Sequence, residues 1–65
     1  MKFLELTLDC NEERKISVKL DSIVAVEETK YFTIVYFDGN HVEVKENKKW
    51  IMQMLEIYYN PKYKM

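Results

Sequence analysis

The feature that most constrains this chain is a period-two alternation that recurs through its first 46 residues with only short polar interruptions. Leu4, Leu6 and Leu8 fall on one side of the run Phe3–Leu8, and Ile16, Val18 and Leu20 on one side of Lys15–Leu20. Alternation of this kind marks a strand that buries a single face. The turn-prone stretch Asp9-Cys10-Asn11-Glu12-Glu13 separates the two runs, so they read as an antiparallel hairpin. Asp21-Ser22 interrupts briefly, and Ile23-Val24-Ala25-Val26 follows as a third, more buried strand. Glu27–Lys30 turns the chain into Tyr31–Phe37, which is aromatic and β-branched throughout. Asp38-Gly39 is a hairpin signal, and His41–Lys45 is the returning strand.

The period then changes from two to 3.6. Asn47 is a helix N-cap candidate and Asn60-Pro61 a stop. At about 100° per residue, Ile57, Trp50, Met54, Tyr58, Ile51 and Leu55 fall in that order around an arc of roughly 160°, with Gln53 and Glu56 on the wet side. A stripe of about 100° suffices to cover a small sheet, so the helix carries apolar surface beyond that need. Trp50, Ile57, Met52 and Tyr59 are the residues at its margins. The expected architecture is a single mainly-β domain spanning residues 1–65. It comprises a hairpin over 2–20, strands over 22–46, a helix over 47–59 and a tail over 60–65. Its five antiparallel strands form one small curled sheet or open barrel with the α-helix at the C-terminal end.

Composition excludes several classes of function. With 65 residues there is room for one domain, and 48% hydrophobic residues with one Gly and one Pro exclude disordered and collagen-like chains. No apolar run reaches the 18–20 residues of a membrane span, and Glu5 interrupts the start too early for a signal peptide, so a soluble cytoplasmic protein without membrane insertion is expected. One Cys can form no internal disulfide and no Cys-based zinc site. Cys10 is flanked by Asp9, Glu12 and Glu13, unlike the electropositive surroundings of reactive thiols. The only His, His41, follows a hairpin turn, and the pairs Glu12-Glu13 and Glu27-Glu28 read as solvated turn charges. Asp38, Asn40 and His41 are too few for a metal site, and one Gly cannot build a phosphate loop. The expectation is a non-enzymatic protein with no cofactor and no metal.

Charge divides unevenly along the chain although the net charge is −1. Residues 44–65 carry five bases (Lys45, Lys48, Lys49, Lys62 and Lys64) against two acids. Lys48, Lys49, Lys62 and Lys64, with nearby aromatics able to stack bases, form the alternative nucleic-acid reading, in which few counterions are released and binding is salt-sensitive.

The second turn decides where a protein partner would dock. A three-residue loop with Gly39 left-handed pairs Ile34 with Val42 and Phe32 with Val44. That register sends Phe32, Ile34, Tyr36, Val42 and Val44 to the core, and Tyr31, Thr33, Val35, Phe37, His41, Glu43 and Lys45 outward. A strict two-residue loop shifts the register by one and mixes apolar with charged side chains on both faces. The bulged loop separates the faces cleanly and is the expected one. Tyr31, Val35 and Phe37, together with Trp50 and Ile57, are then the candidate interface, for a protein partner or for the chain's own copies as a homodimer or larger assembly.

Residues 15–58 resemble the FlbD family, small proteins encoded among flagellar genes. The likeness is carried by Ile23-Val24-Ala25-Val26-Glu27-Glu28-Thr29, by Thr33-Ile34-Val35-Tyr36-Phe37-Asp38-Gly39 and by Val42-Glu43-Val44-Lys45-Glu46-Asn47. These match the family's "I-x-x-I-E-E-T" segment, its "I-T-L-x-N-G" hairpin and its "V-V-K-E-S" strand end without a gap across residues 23–47. Lys30 stands where the family has Pro, and the first hairpin loop is longer. The resemblance implies an accessory, non-catalytic protein. A weaker likeness links Val26-Glu27, Tyr31-Phe32-Thr33-Ile34, Asp38-Gly39, Val42 and Val44 to the opening of LytTR-type DNA-binding domains, whose later strand and basic loop have no counterpart here.

Overall fold

A computed structural model describes residues 2–59. The order of elements is β1 (Phe3–Thr7), β2 (Lys15–Lys19), a 3₁₀ turn (Leu20–Ser22), β3 (Ile23–Glu28), β4 (Thr33–Phe37), β5 (Asn40–Val44) and α1 (Lys48–Tyr59). The mainly-β character, the five strands and the single helix agree with the alternation and with the switch of period. The sheet organisation differs from a single curled sheet. The strands form two antiparallel sheets, β1-β2 and β3-β4-β5, and neither closes into a barrel.

What joins the sheets is local and polar. Leu8 makes one antiparallel bridge to Val44, flanked by Asp9 N–H donating to the Glu43 carbonyl at 2.9 Å and Lys45 N–H donating to the Thr7 carbonyl at 2.8 Å. The Glu46 carboxylate accepts from Thr7 N–H at 2.9 and 3.1 Å and from the Thr7 hydroxyl at 2.9 Å. The strands therefore run β2-β1-β5-β4-β3 across the junction. β1 ends at Thr7, so only its last turn of backbone reaches β5, and a carboxylate substitutes for the ladder that a longer strand would have made.

The β4–β5 hairpin corrects the expected register. Phe37 pairs with Asn40, Val35 with Val42 and Thr33 with Val44, which leaves a two-residue loop. Asp38 (φ 47°) and Gly39 (φ 75°) are both left-handed, as a type I′ turn requires. The strict two-residue loop is thus adopted, and the parity of β4 is inverted while β5 keeps Val42 and Val44 on the core side. Val35, expected outward, is 0% exposed, Thr33 is buried, and Phe37 packs against the core. Ile34 and Tyr36, expected inside, lie on the other face. The polar atoms explain why mixing the faces is tolerated. The Tyr36 hydroxyl donates to Glu27 Oε1 at 2.7 Å, and its ring lies tilted against His41 at 5.8 Å. Buried, the same hydroxyl would need an internal partner.

The core consists of Leu4, Leu6, Val18, Leu20, Val35, Val44 and Ile51. Every strand except β3 contributes to it. β3, expected to be the more buried strand, holds only half-buried Ile23 and Val26, while Ala25 is exposed and Val24 is 74% exposed. A register shift between Ile23 and Ala25 is the cause, because a bulge leaves its extra residue, Val24, unpaired.

Candidate protein-interaction surface

α1 supplies the walls of the candidate site. Asn47 Oδ1 accepts from Trp50 N–H at 2.7 Å, which caps the first turn as the sequence indicates. At about 100° per residue, Ile51, Leu55, Tyr58 and Met54 form the stripe laid onto the sheets, and the surplus apolar residues divide between its two flanks. Lys48, Met52 and Tyr59 stand on one flank, and Trp50 and Ile57 on the other. The T-shaped pair Tyr58–Tyr59, with ring centres 4.9 Å apart, joins the central stripe to the Tyr59 flank at the end of the helix.

Each flank borders an open groove. The larger, about 620 Å³, lies between α1 and the N-terminal end of β1 and is lined by Phe3, Leu4, Leu20, Met54, Ile57 and Tyr58, with Lys2 as its cation. Trp50 is 37% exposed and shares its helical stripe with Met54 and Ile57, at spacings of four and seven residues. The smaller, about 360 Å³, runs between α1 and β3, with Ile23–Val26 on one wall and Lys48, Met52, Leu55 and Tyr59 on the other.

The five residues expected to form an interface do not come together. Ile57 lines the larger groove, and Trp50 lies on the same flank of α1. Tyr31 is 81% exposed at the tip of the β3–β4 turn, where Thr29 holds the backbone by accepting from the N–H groups of Tyr31 and Phe32 and donating to the Phe32 carbonyl. Lys30 Nζ lies 5.9 Å from the Tyr31 ring centre. Val35 is buried in the core and Phe37 packs half-buried against it. Phe3, Leu20 and Val24 were not foreseen at a surface site. Phe3 was legible, since it has the opposite parity to Leu4, Leu6 and Leu8; the exposure of Val24 depends on a bulge that no periodicity announces. Of the lysines, Lys48 lines the smaller groove while Lys49 is exposed a further 100° or so around the helix, so they share no stripe. Lys62 and Lys64 lie outside the described residues.

Chemistry in these surroundings is sparse. Cys10 is exposed and its Sγ–H donates to the Glu12 carbonyl at 3.0 Å. Hydrogen bonding to Glu27, then desolvation, then the charge of Glu27 raise the Tyr36 phenol above its ordinary pKa. Among the described residues, no three His, Cys, Asp or Glu side chains converge on one point, and no helix is long and apolar enough to cross a membrane. Comparison with known proteins finds no matching family model, curated protein or solved structure.

Proposed function

We propose that this chain is a small non-enzymatic protein-interaction module, an accessory protein of the kind its FlbD resemblance implies. Its docking surface is the groove between the start of β1 and α1. The observation that carries this reading is the apolar lining of a cleft of about 620 Å³ on so small a protein, with exposed Phe3 in its wall and exposed Trp50 on the same helical stripe as its Met54 and Ile57. The occupant is an apolar segment of a partner protein, and burying each large side chain there contributes about 1.5–3 kcal/mol. The non-enzymatic reading is supported by the placement of the single His and the single Cys, both exposed and neither lining a groove.

The experiment compares wild-type bait with Phe3→Asp, Ile57→Asp and Tyr31→Asp in affinity capture from the source organism, with circular dichroism to verify folding. The reading expects one protein set lost from Phe3→Asp and Ile57→Asp and retained by Tyr31→Asp. Identical capture by all four baits refutes it.

A further inference from the structure

Across the joined sheets the two outermost strands are β2 and β3, and they present different edges. In β2, Leu8 N–H donates to the Arg14 carbonyl, which fixes the alternation so that Lys15, Ser17 and Lys19 turn their backbone groups outward. Lysines at both ends guard that edge against pairing. In β3, Thr29 N–H donates to the Phe32 carbonyl, so Ala25 and Glu27 bond toward β4 while the N–H and C=O groups of Val26 and Glu28 face away from it. The stretch Ile23–Val26 carries no charge, has no fully buried side chain and faces the smaller groove.

We propose that β3 is a self-association edge, at which two copies of this chain pair β3 to β3 in antiparallel fashion about a two-fold axis at Val26, joining their three-stranded sheets into one of six strands. The proposal deepens the interaction-module reading by naming a second copy as the occupant of the smaller groove. Charge placement selects this register. With the axis at Val26, Val24 faces the second copy's Glu28 and Ala25 faces its Glu27. An axis at Glu27 or at Glu28 would set that carboxylate against its own copy, which is unfavourable. Val26 is also the residue near the middle of the strand whose own backbone groups are free to pair. Val24 and Lys48 line the same groove, and Glu28 lies on the same face of the sheet as Val26. The incoming Glu28 carboxylate therefore arrives where a lysine stands, while Glu27 stays on the opposite face with Tyr36. The exposed Val24, Met52 and Tyr59 surround that seam and are covered by the second copy.

The test is sedimentation velocity and light scattering on the whole chain over roughly 10–500 µM, because a short seam of this size gives a modest dimer. Val24 is exposed, so Val24→Glu and Val24→Lys both fold, and circular dichroism verifies it. Val24→Glu, facing the second copy's Glu28 twice, is expected to weaken the dimer at least tenfold or so, and Val24→Lys to match or tighten it. Lys48→Glu is expected to weaken it as well. A wild-type chain that stays monomeric throughout, or equal shifts from both Val24 variants, overturns the proposal. None of these variants touches Phe3 or Ile57, so retained partner capture with no dimer refutes self-association alone, while lost capture with an intact dimer refutes the partner groove alone.

Discussion

Removing the Glu46 carboxylate tests how the two sheets are held as one body. It takes the bifurcated Thr7 N–H and the Thr7 hydroxyl as donors, at 2.9 to 3.1 Å, in a half-buried position. Hydrogen bonds to a charged group contribute about 1.5–3 kcal/mol each when well buried, and fixing a glutamate rotamer costs up to about 2 kcal/mol. Two donors at the lower end of that range give about 3 kcal/mol, and a half-buried glutamate loses about half of the full rotamer term, about 1 kcal/mol, which leaves about 2 kcal/mol for Glu46→Ala. A chain of this size has roughly 3–10 kcal/mol of total stability, so the loss is a large share of it. It should lower Tm by about 8–16 °C. Glu46→Gln keeps an acceptor and should lose about half as much, and Thr7→Val removes only the hydroxyl and should lose about 1 kcal/mol. Urea unfolding followed both by circular dichroism and by Trp50 fluorescence reads the change at the strands and at α1 together. In the double variant Thr7→Val/Glu46→Ala, the valine adds little to the effect of the alanine, because the hydroxyl has already lost its acceptor. A wild-type midpoint for Glu46→Ala, or strict additivity in the double variant, refutes the clamp.

The turn and the outer sheet face give two further expectations. At the type I′ turn, Asp38→Asn should stabilise by a few tenths of a kcal/mol, because Asn tolerates the left-handed region better, and Gly39→Ala should destabilise by about 1 kcal/mol or more; thermal unfolding that orders them oppositely refutes the two-residue register. The Tyr36 phenol has a folded-state pKa above that of the unfolded chain, so its contribution is complete below the ordinary tyrosine range near 10 and is lost as pH rises through the folded value. Stability measured from neutral to alkaline pH should fall in that window for the wild type and fall less for Glu27→Gln, with the Tyr36 titration followed by ¹³C NMR of the ring; an unchanged titration in Glu27→Gln refutes the hydrogen bond as the cause.

Strand number, the helix and its cap were legible because each follows from local rules. Alternation at Leu4, Leu6, Ile16 and Val18 reflects one buried face, and Asn47 caps because an amide oxygen at that position meets the free N–H of Trp50. The parity of β4 was not legible, because both registers bury Val42 and Val44 on the same side and differ only in which half of Thr33-Ile34-Val35-Tyr36-Phe37 joins them. Hydrophobicity favours hiding Ile34 and Tyr36. The backbone of a two-residue turn and the reach of the Tyr36 hydroxyl to Glu27 favour the reverse, and neither is visible as a pattern of apolar letters.

The same reasoning accounts for what happened to the candidate site. An interface inferred from one strand's parity fails when the parity flips, and Val35 and Phe37 were lost together for that reason. An interface inferred from helical excess is sturdier. An arc of about 160° exceeds what a small sheet can cover whichever way the sheet is threaded, so its margins remain accessible on both flanks of Ile51. Trp50, Met52 and Tyr59 are exposed where the width of the arc requires it. What the arc could not show is its neighbours. The larger groove needs Phe3 and Leu20 brought against Ile57 by the β1–β2 hairpin, and the smaller needs the bulge that leaves β3 unburied beside α1. Both are products of register, set by hydrogen-bonding geometry between segments far apart in the chain.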